Sequence, residues 1–282
     1  MVSVKRINEV LETESSVKDN GKILPRGQFT RPGEIEFIDA TFQYADGDIP
    51  VLPNMNFKIE KDQTVAILGG TGSGKTSLLS LIMRFYDITS GVVKIGGVNI
   101  KNMSIKQLRD MIGYVPQKAV LFSGTIESNI KYGKQDATYE EMVEAAKIAQ
   151  SYDFIDSLDE KFNAPVAQGG TNFSGGQKQR LSIARAIIKK PEIYLFDDSF
   201  SALDYETDKK LREALNENMK SATVVIVAQR VSTVLNADKI LFIDEGKIIA
   251  QGTHKELYES CPEYKEVVLS QITEEEALNG GK

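Results

Sequence analysis

The stretch Gly69-Gly70-Thr71-Gly72-Ser73-Gly74-Lys75-Thr76 constrains this chain more than any other, because a glycine-rich loop ending in Lys-Thr has meaning only between a strand and a helix. Both neighbours are present. Thr64-Val65-Ala66-Ile67-Leu68 is a short apolar run of strand type, and Ser77-Leu-Leu-Ser-Leu-Ile-Met83 is apolar enough for a buried helix. The glycines let successive backbone amides curl into a concave nest, and the helix N-terminus adds positive potential. Lys75 then reaches the β- and γ-phosphates, the Thr76 hydroxyl ligates Mg²⁺, and Ser77 opens the helix beside them. The pattern predicts a nucleoside triphosphate held by Gly69 through Ser77.

Composition narrows the partners of such a site. A net charge of −6 speaks against a nucleic-acid-binding surface, so no nucleic acid is expected. The single cysteine, Cys261, excludes an intrachain disulfide and is read as a packing residue in a reducing compartment. No apolar run approaches the roughly 20 residues that a membrane helix needs. A membrane role therefore has to come through another chain or another segment.

Three regions differ in character along the sequence. Residues 1–33 open on a short amphipathic stretch (Val4, Ile7, Val10, Leu11), turn polar, and end near Pro25 and Pro32, which reads as a connecting segment. From Glu34 short strand patterns succeed one another: Glu34 to Ile38, Thr41 to Tyr44, Asn56 to Glu60, Thr64 to Leu68 and Gly91 to Ile95. Between about Thr125 and Lys190 the pattern is helical, with a capping box at Thr138-x-x-Glu141 followed by Met142, Ala145, Ala146 and Ala149. After Pro191 strands and helices alternate again: Ile193 to Phe196, a helix carrying Leu211, Ala214, Leu215 and Met219, then Ala222 to Ala228. A hairpin from Ile240 to Ile249 turns at Glu245-Gly246. The expected class is α/β, with a largely parallel sheet, a small antiparallel sheet and a helical lobe. The tail, Thr273 to Lys282, is expected to be disordered.

A phosphate loop alone fits many nucleotide enzymes, and a second set of motifs decides among them. Phe173-Ser-Gly-Gly-Gln-Lys-Gln-Arg180 opens a helical run; the strand Ile193-Tyr-Leu-Phe196 ends in Asp197-Asp198; Ser201-Ala-Leu-Asp204 comes next. In this order the motifs resemble the ATP-binding-cassette family over residues 34–272, with residues 125–190 as its helical subdomain and a P-loop NTPase (RecA-like) core beside an antiparallel β subdomain. The resemblance makes Gly69–Thr76 the Walker A loop, Asp197 the Walker B carboxylate and Ser174, Gly175, Gly176 and Gln177 the signature. It makes Ser201–Asp204 the D-loop, Gln117 the Q-loop residue, and Tyr44 the aromatic that stacks on adenine. It implies ATP and Mg²⁺ as cofactors, with Thr76, Gln117 and Asp197 around the metal. Leu121-Phe-Ser-Gly-Thr-Ile126 resembles exporter-type cassettes, and residues 4–12 resemble the link from an exporter's last membrane helix.

The resemblance implies a partner as well as a reaction. A signature helix needs a phosphate that its own chain's loop does not deliver, so two cassettes face each other head to tail around ATP. The implied setting is the cytoplasmic face of a membrane, against cytoplasmic helices of transmembrane domains, with the membrane domain preceding Met1 and this fragment soluble alone. Two positions depart from the family. Asp198 stands where a catalytic glutamate is usual, and Gln229 where a histidine follows the next core strand. The only histidine, His254, is read as structural. Lys75, Asp198 and Gln229 are thus the catalytic candidates, with hydrolysis weakened and binding groups spared. That combination resembles the degenerate half of a heterodimeric, often multidrug, exporter. Its signature and Asp204 would complete the active site of a different partner chain. The alternatives are a non-catalytic module that dimerises on ATP and a soluble cassette protein unconnected with transport.

Overall fold

A computed structural model describes residues 6–8, 11, 12 and 14–279. Six strands form its central sheet: β3 (Thr64–Leu68), β6 (Ile112–Val115), β9 (Ile193–Asp197), β10 (Thr223–Ala228), β11 (Lys239–Asp244) and β12 (Lys247–Gly252). They lie side by side in the order β12-β11-β3-β10-β9-β6. All neighbours run parallel except the β11–β12 hairpin. The turn at Glu245-Gly246 has positive φ at both residues, 42° and 76°, the twist that a two-residue hairpin requires.

The central strands are apolar on both faces because the sheet is covered on both. Val65, Ile67, Ile193, Leu195, Val225 and Val227 pack toward a smaller antiparallel sheet and the Lys75–Ile82 helix. Their alternating neighbours Ala66, Leu68, Tyr194, Phe196, Val224 and Ile226 pack toward the helices. Burying each large side chain contributes about 1.5–3 kcal/mol, so this two-sided strand pattern is the main stabilising term of the core. The smaller sheet is built from β1 (Ile35–Phe42), β2 (Leu52–Ile59), β4 (Ser90–Ile95) and β5 (Val98–Asn99), in the order β2-β1-β4-β5. Helices Ile126–Lys131, Tyr139–Ile148, Tyr152–Asp156 and Gly175–Ile187 make the helical region, with a two-stranded ribbon of β7 (Gly124–Thr125) and β8 (Pro165–Val166). The Thr138–Glu141 capping box forms as its sequence predicts.

Three sequence expectations are corrected. The separate strands Glu34 to Ile38 and Thr41 to Tyr44 are one strand, β1, interrupted by an irregularity between Ile38 and Thr41. Asp39 there has φ 47°, and Asn56 stabilises the kink by accepting from the Asp39 amide at 2.9 Å and donating to its carboxylate at 3.0 Å. Asn56 itself lies inside β2, which begins at Leu52 rather than at Asn56. The tail expected to be disordered is also ordered over much of its length. Glu274–Asn279 is a helix, capped by Thr273, and Ala277 is 2% exposed.

His254 explains the ordered tail. It is buried, with Nε2 2.9 Å from the carbonyl oxygen of Ala277 and Nδ1 2.7 Å from the Tyr264 hydroxyl. A carbonyl only accepts, so in the neutral ring Nε2 carries the proton and Tyr264 donates to Nδ1. His254→Leu leaves both partners buried without a bond, at about 1–3 kcal/mol for each group. Thermal denaturation is expected to show a melting temperature about 5 °C lower for His254→Leu, with faster amide exchange in Glu274–Asn279. An unchanged midpoint contradicts this role.

Candidate nucleotide-binding site

Strand register assembles the site. β3, β10 and β9 lie side by side and parallel, with Val227 opposite both Ile67 and Asp197, and Ala228 opposite Leu68. The residues that leave these strands, Gly69, Gln229 and Asp198, therefore emerge together at one carboxyl edge. β6 adds a fourth, since Val115 pairs with Phe196 and delivers Pro116 and Gln117 beside Asp197. Crevices beyond the carboxyl ends of parallel strands are where such sheets bind ligands.

The phosphate loop enters this edge under tight steric constraint. A Cβ on Gly69 would lie 2.1 Å from the Ile243 carbonyl oxygen, and Gly74 has φ 94° with Leu52 Cδ2 2.7 Å from where its Cβ would be. Only glycine fits at either place. Gly74 is the N-cap of the helix that begins at Lys75. The Lys75 ammonium donates to the carbonyl oxygens of Gly69 (2.9 Å) and Gly70 and to the Ser73 hydroxyl, 3.2 Å away. Lys75 is 7% exposed, and burial pulls its pKa below the ordinary value, opposed by the charges of Asp198 and Asp197.

Asp197 is the buried anion of the site, 2% exposed. The Thr76 hydroxyl donates to its Oδ1 at 3.1 Å and the Tyr114 hydroxyl to its Oδ2 at 3.4 Å. Burial pushes this carboxyl above its usual range, the two hydrogen bonds and Lys75 oppose the rise, and Asp198 adds to it. Burial, joined by the Asp197 charge, also keeps the Tyr114 hydroxyl protonated and so a donor. Asp198 adopts φ 46°, uncommon for a non-glycine residue. One of its oxygens, Oδ2, accepts from Gln117 Nε2 and from Gln229 Nε2, each at 3.2 Å. The oxygens of Thr76 and Asp197, with the amide oxygen left to Gln117, form a hard donor set that suits Mg²⁺.

Tyr44 closes the side of the site nearest the antiparallel sheet. Its hydroxyl lies 2.8 Å from Ser77 Oγ, and its ring packs edge-on against Phe42 and Tyr86 at 4.7 and 5.1 Å between centroids. A cleft of about 360 Å³ gathers Tyr44, Thr71, Gly72, Gly74, Lys75, Thr76, Ser77, Gln117, Asp197, Asp198 and Gln229. Gly69, Gly70 and Ser73 shape the loop behind it.

The signature and D-loop residues do not line this cleft. Ser174 caps the Gly175–Ile187 helix, accepting from the Gln177 amide while Gln177 accepts from the Ser174 amide. Gly175 is open to solvent, and a Cβ on Gly176 would lie 3.3 Å from the Ala202 carbonyl oxygen, so the signature sits against the D-loop turn. Asp204 caps the following helix by accepting from the Thr207 amide, chiefly the interaction that lowers its carboxyl pKa. Two supporting residues carry no motif of their own in the sequence. Tyr114 tethers Asp197, and Gln179, 2% exposed, donates from the signature helix to the Pro116 carbonyl beside Gln117. Each lies inside a motif run, Tyr114 in Tyr114-Val-Pro-Gln117 and Gln179 in Phe173–Arg180, but nothing in either run marks it as a support.

Comparison with known proteins agrees with this geometry. The family profile described as ABC transporter matches residues 52–201, from the start of β2 to the D-loop turn. The chain belongs to the ABC transporter family. An uncharacterized ABC transporter ATP-binding protein of Mycobacterium tuberculosis is 43% identical over 275 residues, which cover 96% of this chain and 46% of that protein. A Staphylococcus aureus protein provisionally named for multidrug export, as an ATP-binding/permease protein, is 47% identical over 227 residues, 80% of this chain and 39% of its own. Among solved structures, a bacterial Atm1-family ABC exporter with ATP bound superposes with a TM-score of 0.90 at 34% identity, over 97% of this chain and 47% of that one. This cassette thus spans about half the length of the relatives it matches. Among the described residues no helix is long and apolar enough to cross a membrane.

The raised carboxyl at Asp197 has a signed consequence. The folded cassette binds that proton more tightly than the unfolded chain, so ionising Asp197 costs stability as pH rises through the ordinary carboxylate value. Asp197→Asn is expected to raise the melting temperature of the nucleotide-free cassette at about pH 7.5, by a margin that shrinks toward about pH 4. The same variant should lose the extra stabilisation that Mg²⁺ adds to ATP. Scanning fluorimetry across pH checks both parts, and a destabilised Asp197→Asn at neutral pH contradicts the first.

Proposed function

We propose that this cassette binds Mg·ATP in the cleft between Tyr44 and Lys75, pairs head to tail with a second cassette, and powers export through transmembrane domains at the cytoplasmic face of a membrane. The chain's own phosphate site holds ATP and hydrolyses it slowly. Its signature, Ser174 to Gln177, with Asp204, serves the nucleotide of the partner, which is a different chain. The exporter names of its relatives and of the ATP-bound structure support the transport reading.

The observation that carries the slow-site reading is the tether on Asp198. Hydrolysis needs a water oxygen to form a bond to the γ-phosphorus as the bond to the bridging oxygen breaks, with a proton leaving the water. Asp198 is one methylene shorter than the glutamate usual at this place, and one of its two oxygens already accepts from both Gln117 and Gln229. Neither amide titrates, so Gln229 cannot carry the charge that a histidine would bring to the γ-phosphate. Loss of a well-placed base costs about 10²- to 10⁴-fold. Binding relies on other residues: Lys75 and the loop amides for the phosphates, Tyr44 for the base, Thr76 and Asp197 for Mg²⁺. The metal would neutralise charge on the β- and γ-phosphate oxygens.

Restoring both groups tests the assignment. Asp198→Glu with Gln229→His is expected to raise ATP turnover by about tenfold or more while the Kd for ATP stays within about twofold. Turnover of the unaltered cassette alone should fall well below that of the mixed pair with its partner. Equal rates overturn the slow-site reading, and no phosphate release over hours, even in the pair, favours the non-catalytic module.

A further inference from the structure

The segment that carries Gln229 is gripped from outside by side chains that play no part in holding a nucleotide. It leaves β10 at Ala228 and passes through a 3-10 turn at Val231–Thr233. Gln271, two residues past the Pro262–Leu269 helix, bonds it twice. Its Nε2 donates to the Gln229 carbonyl oxygen at 3.1 Å, and its Oε1 accepts from the Val231 amide at 2.9 Å. Arg212, on the Tyr205–Asn218 helix, donates to the Ser232 carbonyl oxygen at 2.7 Å and to Asp208 Oδ2 at 2.8 Å. Residues 229, 231 and 232 are therefore each fixed through the backbone by side chains distant in sequence.

We propose that Gln271 is a positioning residue for the nucleotide site, fixing the peptide frame of residues 229–231 so that the Gln229 amide stays against Asp198. A glutamine amide suits the frame. The frame offers one acceptor and one donor, and Gln271 matches them with its Nε2 and Oε1 from one planar group. Glutamate keeps the bond from Val231 but places an oxygen against the Gln229 carbonyl, and asparagine falls one methylene short. Gln271 in turn sits between the Pro262–Leu269 helix and the Glu274–Asn279 helix that His254 anchors through Ala277. The carboxyl-terminal segment thereby acts on the edge of the nucleotide cleft without entering it.

The catalytic part of this inference rests on the proposed ATP reading, and the test separates the two. In the full 282-residue chain labelled with ¹⁵N, Gln271→Ala is expected to shift the Gln229 side-chain amide resonance. It should also speed exchange of the Val231 amide by about tenfold or more, leaving Leu241 in β11 protected. With Mg·ATP, single-turnover phosphate release should rise by up to about tenfold, because Asp198 is freed from the Gln229 tether, while the Kd for ATP stays within about twofold. Gln271→Glu should keep Val231 protected yet still move the Gln229 resonance, and it serves if the alanine variant folds poorly. An unmoved Gln229 resonance and a protected Val231 in Gln271→Ala overturn the proposal. A moved resonance in a chain that binds no ATP sinks the nucleotide reading and leaves the positioning role standing.

Discussion

The parallel register of β3, β10 and β9 is the constraint on which the rest of this cassette depends. Because Leu68, Ala228 and Asp197 end their strands side by side, the phosphate loop, Gln229 and Asp198 meet at one edge without any loop having to reach. That register is held by apolar side chains alternating into two cores, one on each face of the sheet. A slip of one residue would send each side chain to the wrong core, so the energetics that fold the sheet also place the chemistry. The loops need only local devices: glycine at positions 69 and 74, and a helix that starts at Lys75.

Around that edge the structure spends its polar groups on holding rather than on reacting. Asp197 is buried and braced by Thr76 and Tyr114, and Lys75 is enclosed by its own loop. Asp198 is bound by two amides through one oxygen, and one of those amides, Gln229, is held in turn by Gln271 through its backbone. Each layer fixes the one inside it. On the proposed division between a holding cassette and a hydrolysing partner, this bracing is what would retain a triphosphate, because it leaves few groups free to move a proton.

Much of this is legible in the sequence because it is local. The Gly69–Thr76 loop, the Ser174 and Thr138 caps and the Glu245-Gly246 turn are set by residues close together in the chain, and each forms where its pattern predicts. What the sequence hides depends on partners far along the chain. The continuity of β1 through its kink requires Asn56, 17 residues later. Tyr114 reaches Asp197 over 83 positions and Gln271 reaches Gln229 over 42, distances at which no periodicity survives. The tail from Thr273 onward reads as disordered from its polar composition, because nothing local reveals that Ala277 will meet a buried His254. The sequence does set His254 apart from the chemistry, since it stands 25 positions past Gln229, which takes the place where the catalytic histidine is usual.

The central claim is that this phosphate site retains ATP rather than consuming it. Its most direct test is to load the cassette with Mg·ATP labelled on both the base and the γ-phosphate, remove free nucleotide by rapid gel filtration, and identify what remains bound after tens of minutes. The account predicts protein-bound nucleotide that still carries its γ-label, in the chain alone and in the pair with its partner. Bound nucleotide that has become ADP on the timescale of the pair's turnover would contradict it.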